Sequence, residues 1–201
     1  MTHAELTKAL WDLSRATGLV ATCIFAASIV LGILARSGRN VPGLGRFGVN
    51  QLHRTLALTG VGLIAVHVTT LLFDPYAQLK LIDVVIPFAG TYRPFWLGLG
   101  TVAVDLLAVV VVAALLRHRV GPRVFRVTHW AVYALFPIAV FHGLGTGTDA
   151  GTTWSRAIVA ASVLTVAGAL MWRSTQHFAE RGFDRIPRQQ MQRQPLQRST
   201  R

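Results

Sequence analysis

The stretch LHRTLALTGVGLIAVH, Leu52–His67, gives the clearest indication of the fold. It is apolar along most of its length, carries Arg54 beside its first histidine and ends in a second histidine. A membrane-spanning helix needs about 20 mostly apolar residues, and the apolar character continues to residue 73. The stretch therefore predicts a transmembrane helix with a histidine near each end.

The composition excludes a soluble protein. The 201 residues are 52% hydrophobic and only 14% charged, whereas soluble domains carry about 25% charged residues. A net charge of +12 would suggest nucleic acid in a soluble domain, but the run 102–116 is interrupted only by Asp105 and cannot face water. We therefore expect no nucleic-acid partner, and the chain is neither disordered nor collagen-like. A single cysteine, Cys23, leaves no intrachain disulfide and no cysteine-ligated cluster.

Five stretches are long and apolar enough to cross a bilayer. They lie at about 16–34, 52–73, 95–116, 128–145 and 157–172. We predict an all-α integral membrane protein, a five-helix transmembrane bundle over residues 16–173. Residues 1–15 form the predicted N-terminal segment outside it, and 174–201 a basic tail that is disordered at its end. The apolar strip within 74–94 predicts an interfacial helix or a segment buried against the bundle.

The basic residues are distributed unequally between the two sides of the predicted bundle. Fifteen of the 20 Lys and Arg residues fall between or at the ends of spans one and two, between spans three and four, or after span five. The remaining five fall on the other side, where five acidic residues balance them. Cytoplasmic loops carry the excess of Lys and Arg. The pattern therefore predicts an extracytoplasmic N-terminus and a cytoplasmic C-terminus.

Four of the seven histidines lie in or at the ends of spans two and four: His53, His67, His129 and His142. Ionisable groups at membrane depth are costly and mark cavities, partners or cofactors, although a lone membrane histidine is more often a helix–helix hydrogen-bond partner. His53 and His67 are 14 residues apart in span two, and His129 and His142 are 13 apart in span four. Either spacing corresponds to about 20 Å along a helix. Because both spans run in the same direction, His53 matches His129 in depth and His67 matches His142. Two histidines at one depth can supply both axial ligands of a haem, so the chain can hold two haems.

The angular positions of these histidines around their helices agree only in part with that prediction. His53, Gly60 and His67 recur at seven-residue steps, so they share one seam, and Gly60 would let a planar ring or another helix approach closely. An ideal helix places residues 13 apart about 140° away from each other. Pro137, between His129 and His142, is expected to distort that helix.

These motifs resemble the ferric reductase-like transmembrane domain. That family includes ferric reductases, NADPH oxidases and the haem subunit of a bacterial methionine sulfoxide repair system. The resemblance covers roughly residues 16–175 and rests on Leu52–His67 and on HWAVYALFPIAVFHG, His129–Gly143. Weaker matches to the small bacterial members are LLFDPY (Leu71–Tyr76), TYRPFWLGLG (Thr91–Gly100) and FHGLGTGTDA (Phe141–Ala150). The resemblance implies an inner haem b on His53 and His129, an outer haem b on His67 and His142, and a bacterial plasma membrane location.

Further residues are candidates to bind or adjust the haems. Arg54 or Arg126 is expected to pair with an inner haem propionate, because Arg binds carboxylates bidentately, or both are simply positive-inside residues. Arg93 is the outer candidate. Phe136 lies either between the haems or in ordinary core packing. Asp105 either accepts a hydrogen bond from an axial histidine or bonds to a Ser or Thr.

The function expected from these features is electron transfer across the membrane. The 29 residues after Trp172 hold no Gly-rich dinucleotide fingerprint, so the chain is not expected to oxidise a nicotinamide by itself. The resemblance implies quinol or a separate flavoprotein as the donor. By the resemblance, the acceptor is an extracytoplasmic redox protein or ferric iron, and lipid surrounds the bundle. One alternative is a quinol-linked cytochrome b subunit of a larger dehydrogenase. Another is a non-redox membrane scaffold or transporter, for which an inverted repeat or broken helix is expected and none is evident.

Overall fold

A computed structural model describes residues 2–37, 42–75, 77 and 79–175. Throughout these ranges the chain is all-helical. In chain order the helices are α1 (His3–Ser37), α2 (Arg46–Leu72), α3 (Leu81–Val85), α4 (Pro94–Leu115), α5 (Arg117–Trp130), α6 (Val132–Thr146) and α7 (Thr153–Ser174), with a 3₁₀ turn at Thr148–Gly151. Five segments are long and apolar enough to cross a membrane, α5 and α6 together making the fourth. The predicted all-α class and five-span bundle are confirmed.

Helix α1 begins at His3, well before the predicted span at residue 16. Its first turn is closed by a reciprocal pair of hydrogen bonds, from the Thr2 amide to Glu5 Oε2 at 2.7 Å and from the Glu5 amide to Thr2 Oγ1 at 3.3 Å. One turn later Lys8 bonds Asp12 across i,i+4 at 3.0 Å. Such caps and ion pairs stabilise a helix in water. The predicted N-terminal segment is thus helical from His3 and continuous with the first span.

The bundle is built around α1, which packs against α2, α6 and α7. A compact apolar cluster fills its centre, formed by Ala26, Ile29, Ile33, Phe136, Val140 and Val166. Large apolar side chains face outwards on the other helices, including Leu115 at 73% and Leu164 at 70% exposure. A surface of this kind suits hydrocarbon, where helices satisfy their own backbone polar groups.

Helix α3 occupies the predicted interfacial segment. Its Leu81 and Val85 side chains are exposed, whereas Asp83 is buried. The Asp83 carboxylate accepts a hydrogen bond from the Lys80 amide at 2.9 Å. The backbone carbonyl of Asp83 accepts one from the Thr101 hydroxyl of α4 at 2.7 Å. The segment is therefore fixed to α4 by its polar face and presents its apolar face outwards, combining the two predicted arrangements.

The fourth span is interrupted at Ala131, between α5 and α6. Here the Ala131 amide bonds the Thr128 carbonyl at 3.1 Å and the Ala134 amide bonds the Ala131 carbonyl at 3.0 Å, both in the i→i−3 pattern. Residues in 3₁₀ geometry turn the chain by about 120° each instead of about 100°. This extra rotation acts in the direction that reduces the 140° mismatch between His129 and His142. The distortion expected at Pro137 is centred one to two turns earlier.

Candidate functional site

The four histidines of α2, α5 and α6 form two pairs at two levels of the bundle. In the upper pair the ring centroids of His67 and His142 lie 6.4 Å apart, with an interplanar angle of 86°. In the lower pair His53 and His129 lie 6.2 Å apart at 79°. The structure therefore brings together the histidines that the sequence matches in depth.

These separations fit two imidazoles bound to one metal ion. A metal–imidazole bond measures about 2.0–2.1 Å, and a ring nitrogen lies about 1.1 Å from its ring centre. Two ligands on opposite sides of one iron would therefore place their centroids about 6.3 Å apart. Within the described residues no group of three or more His, Cys, Asp or Glu side chains could hold a metal ion. Paired ligands suit haem, whose macrocycle fills the other four positions of the iron.

Three of the four imidazoles donate a hydrogen bond to a backbone carbonyl. His67 Nδ1 lies 2.7 Å from the Ser14 carbonyl, His53 Nδ1 2.8 Å from that of Ser28, and His142 Nδ1 2.8 Å from that of Trp96. A carbonyl only accepts hydrogen bonds, so Nδ1 carries the proton. At His53 the Ser28 Oγ atom is a second, longer partner of the same Nδ1, at 3.1 Å. The lone pair of Nε2 is left for a metal, which is the tautomer arrangement of metal-ligating histidines. Nδ1 of His129 is buried and has no hydrogen-bond partner.

A cavity of about 400 Å³ opens beside the upper pair. His67 and His142 line it, as do Phe25, Phe136 and Arg15. Its walls are mostly apolar, which is typical of sites for organic ligands.

Arg15 is held at this cavity by two carboxylates. Its Nη2 lies 2.5 Å from Asp149 Oδ2 and its Nη1 lies 3.7 Å from Asp12 Oδ1. Its Nε is buried without a hydrogen-bond partner. The cavity therefore combines two imidazoles, apolar walls and a guanidinium whose buried Nε is unpaired.

A family model described as a ferric reductase-like transmembrane component matches residues 17–140. The chain belongs to this family. Membership supports transmembrane electron transfer as the general role, and members usually bind haem. The match contains His53, His67 and His129 and ends two residues before His142. No curated protein and no solved structure matches the chain.

The three arginines predicted for this ferric reductase-like chain have exposed side chains. Arg54 and Arg126 are exposed, one residue after His53 and three before His129. Arg93 is exposed as well, and its Nη1 donates to the Gly145 carbonyl at 2.6 Å. Arg93 thus ties the start of α4 to the end of α6, and the guanidinium at the upper cavity is that of Arg15.

The remaining predicted residues lie between the two levels or on α4. Gly60 is buried against α1, where a Cβ atom would lie 2.8 Å from the ring of Phe25; the close approach it permits is that of another helix. Phe136 is 5% exposed in the central apolar cluster and also lines the upper cavity. Asp105 is half-buried. None of the four Nδ1 atoms bonds to it, because backbone carbonyls take three and the fourth is unpaired.

Sequence analysis missed the contribution of α1 to both levels. Ser14 and Ser28 supply the carbonyls. Gly18 and Gly32, four residues after each, leave room for the same imidazoles, which a Cβ atom there would crowd. A signal was present: SRATG and SIVLG repeat the pattern Ser-x-x-x-Gly at the same 14-residue spacing that separates His53 from His67. Arg15 was missed because it was counted only as an outer positive charge.

Proposed function

We propose that the chain is a transmembrane electron-transfer subunit that holds two haem b groups, an inner one between His53 and His129 and an outer one between His67 and His142. The observation that carries the proposal is the pairing of imidazoles at two levels, 6.2 and 6.4 Å apart. When bound, a haem with two histidine ligands passes one electron at a time and has no open position for oxygen.

The residues of the chain have separate tasks in this proposal. The carbonyls of Ser14, Ser28 and Trp96 hold three imidazoles in the tautomer that offers Nε2 to a metal. Phe25 and Phe136 exclude water between the levels. Arg15, with its unpaired Nε, would pair with a carboxylate of the outer macrocycle, and Arg54 or Arg126 with one of the inner macrocycle. Arg93, the outer candidate of the sequence, donates to the Gly145 carbonyl.

The proposed orientation follows the charge pattern, with the N-terminus and the upper level outside and the C-terminus in the cytoplasm of a bacterial cell. A separate flavoprotein or quinol would donate electrons to the lower level, and an extracytoplasmic redox protein or ferric iron would accept them from the upper level. Exposed arginines at the lower end suit an acidic donor and anionic lipid.

Haem quantification with a reduced-minus-oxidised spectrum tests this proposal. Purified, haem-supplemented protein is expected to hold two low-spin haems b per chain. His67→Leu is expected to lose the upper haem and keep the lower one, and His129→Leu the reverse. His118→Leu is the matched control, because His118 is exposed and belongs to neither pair. Wild-type protein without a Soret band, or unchanged haem content in both pair variants, would refute the proposal.

A further inference from the structure

Three of the four paired imidazoles rest on the same local structure, which we term a glycine seat. A seat consists of a helix carbonyl at position i, which accepts the Nδ1 hydrogen bond, and a glycine at i+4, where a Cβ atom would crowd the imidazole. Ser14 and Gly18 form the seat of His67, Ser28 and Gly32 that of His53, and Trp96 and Gly100 that of His142.

The glycine leaves the space that the imidazole occupies. The carbonyl at i accepts the helical bond from the amide at i+4, and its second lone pair can accept from a side-chain donor. At Ser14 the carbonyl also accepts a hydrogen bond from Thr17 Oγ1 at 3.0 Å. An imidazole that reaches this lone pair passes over residue i+4. A Cβ atom there would lie 3.1 Å from Nδ1 of His67 at Gly18, 3.3 Å from Cε1 of His53 at Gly32, and 2.5 Å from Cε1 of His142 at Gly100.

Two of the seats lie on α1, which contributes no paired histidine. They are 14 residues apart, as are His53 and His67 on the antiparallel helix α2. Each turn of α1 that carries a seat therefore meets one histidine of α2. The same 14-residue spacing therefore separates the two histidines of α2 and the two seats of α1 that support them.

His129 differs from the other three. Its Nδ1 is buried without a partner, and the ring stacks on Phe125 at 5.4 Å between centroids. The upper level thus has two seated imidazoles and the lower level has one.

We propose that Gly18, Gly32 and Gly100 are positioning residues that fix the tautomer of their imidazoles and thereby lower the midpoint potential of the haem at their own level. A hydrogen bond donated by Nδ1–H increases the basicity of the ligand, and a more basic ligand favours ferric over ferrous iron. The effect on the potential rests on the proposed function, whereas the effect on the tautomer belongs to the chain alone.

Single Gly→Ala variants test the redox part in haem-loaded protein. Gly18→Ala is expected to raise the midpoint potential of the outer haem only, and Gly32→Ala that of the inner haem only. Gly100→Ala, with the closest contact, is expected to have the largest effect, up to loss of the outer haem. Gly62→Ala is the matched control, because a Cβ atom at this position meets nothing within 4 Å and Gly62 does not line the upper cavity; both potentials should stay unchanged.

A change in the midpoint potential of one haem alone distinguishes a positioning role of the glycine from a general effect on helix packing. Gly18 and Gly32 lie on one helix, so loosening of α1 would move both haems together. Equal shifts of both potentials in Gly18→Ala, or no shift in any seat variant, would overturn the proposal.

The tautomers are tested without haem by ¹⁵N nuclear magnetic resonance of histidine-labelled protein in lipid bilayers. His53, His67 and His142 are expected in the Nδ1–H form, and Gly18→Ala is expected to change the spectrum of His67 while His53 keeps its own. An Nε2–H form at the three seated histidines would overturn the inference. Wild-type protein that binds no haem but shows the Nδ1–H form would refute the proposed function and uphold the seats.

Discussion

Arg15 is the residue whose surroundings say most about the upper level. It follows Ser14, the residue whose carbonyl orients His67, and it lines the upper cavity and pairs with Asp149 and Asp12. The two carboxylates neutralise much of its charge, and its buried Nε is unpaired. The position of Arg15 is therefore coupled to that of His67 through the adjacent residue Ser14.

Arg15→Gln is expected to lower the midpoint potential of the outer haem and weaken its retention. Reduction adds one negative charge to the site, and a nearby cation favours that state. A unit charge about 10 Å away is worth about 1.7 kcal/mol at an effective dielectric constant of about 20, and the two carboxylates reduce that value. We expect a fall equivalent to about 1 kcal/mol, measured by redox titration of each haem.

Lys8→Gln is the control for that titration. Lys8 lies on the same helix, pairs with Asp12 and is 80% exposed, so solvent screens its charge. Both potentials should remain within error of the wild-type values. A fall of the inner potential in Arg15→Gln as large as that of the outer one would contradict the placement of Arg15 at the upper level.

At the scale of elements, the contact between α1 and α2 holds the two levels in register. Gly60 lies midway between His53 and His67, and Phe25 of α1 occupies the space that a side chain at Gly60 would need. Phe25 in turn packs on the central cluster that contains Phe136. One glycine thus connects the ligand helix to the apolar core of the bundle.

Gly60→Ala is expected to destabilise the bundle by about 1–3 kcal/mol, the usual cost of adding a methyl group to a packed interior. The new Cβ would lie 2.8 Å from Cε1 and 2.9 Å from Cζ of Phe25, so the ring must shift. Gly62→Ala on the same helix meets nothing within 4 Å and gains helix propensity, so it should be neutral or slightly stabilising. Thermal unfolding in detergent compares the pair, and equal stabilities would contradict this account of the α1–α2 contact.

The sequence predicts the five spans and the depth of the histidines because hydropathy and helical rise are local properties. It does not predict the start of α1 at His3, since charged residues in that segment lower the hydropathy while Thr2, Glu5 and the Lys8–Asp12 pair favour a helix. The break at Ala131 is also absent from the pattern, where Pro137 is the visible breaker. Which carbonyl an imidazole reaches depends on how α1 packs against α2, and single-helix periodicity contains no such information.

For the whole molecule, the charge distribution sets the orientation that the proposed function requires. The exposed arginines Arg54, Arg119 and Arg126 lie towards the lower level, and Glu5 and Asp149 lie towards the upper level. Because basic segments remain in the cytoplasm, the lower level should face the cytoplasmic donor.

Cysteine labelling in whole cells measures this orientation. In a Cys23→Ser background, Glu5→Cys should react with a membrane-impermeant maleimide in intact cells. Arg119→Cys should react only after permeabilisation, and both residues are exposed. Labelling of Arg119→Cys in intact cells would reverse the proposed topology.

The two levels are expected to act in series, and proteoliposomes with ferricyanide inside and dithionite outside can measure this. Current can pass between the faces only if both levels hold a haem, because the paired histidines at each level are about 20 Å from those at the other. His129→Leu should therefore abolish transmembrane reduction although the upper haem remains reducible from its own side, and His67→Leu should abolish it although the lower haem remains.

His118→Leu should leave the rate unchanged, with valinomycin and potassium present to dissipate the membrane potential. Residual transmembrane reduction in either pair variant at more than about a tenth of the wild-type rate, a barrier difference of less than about 1.4 kcal/mol, would mean that the two levels do not form a single path.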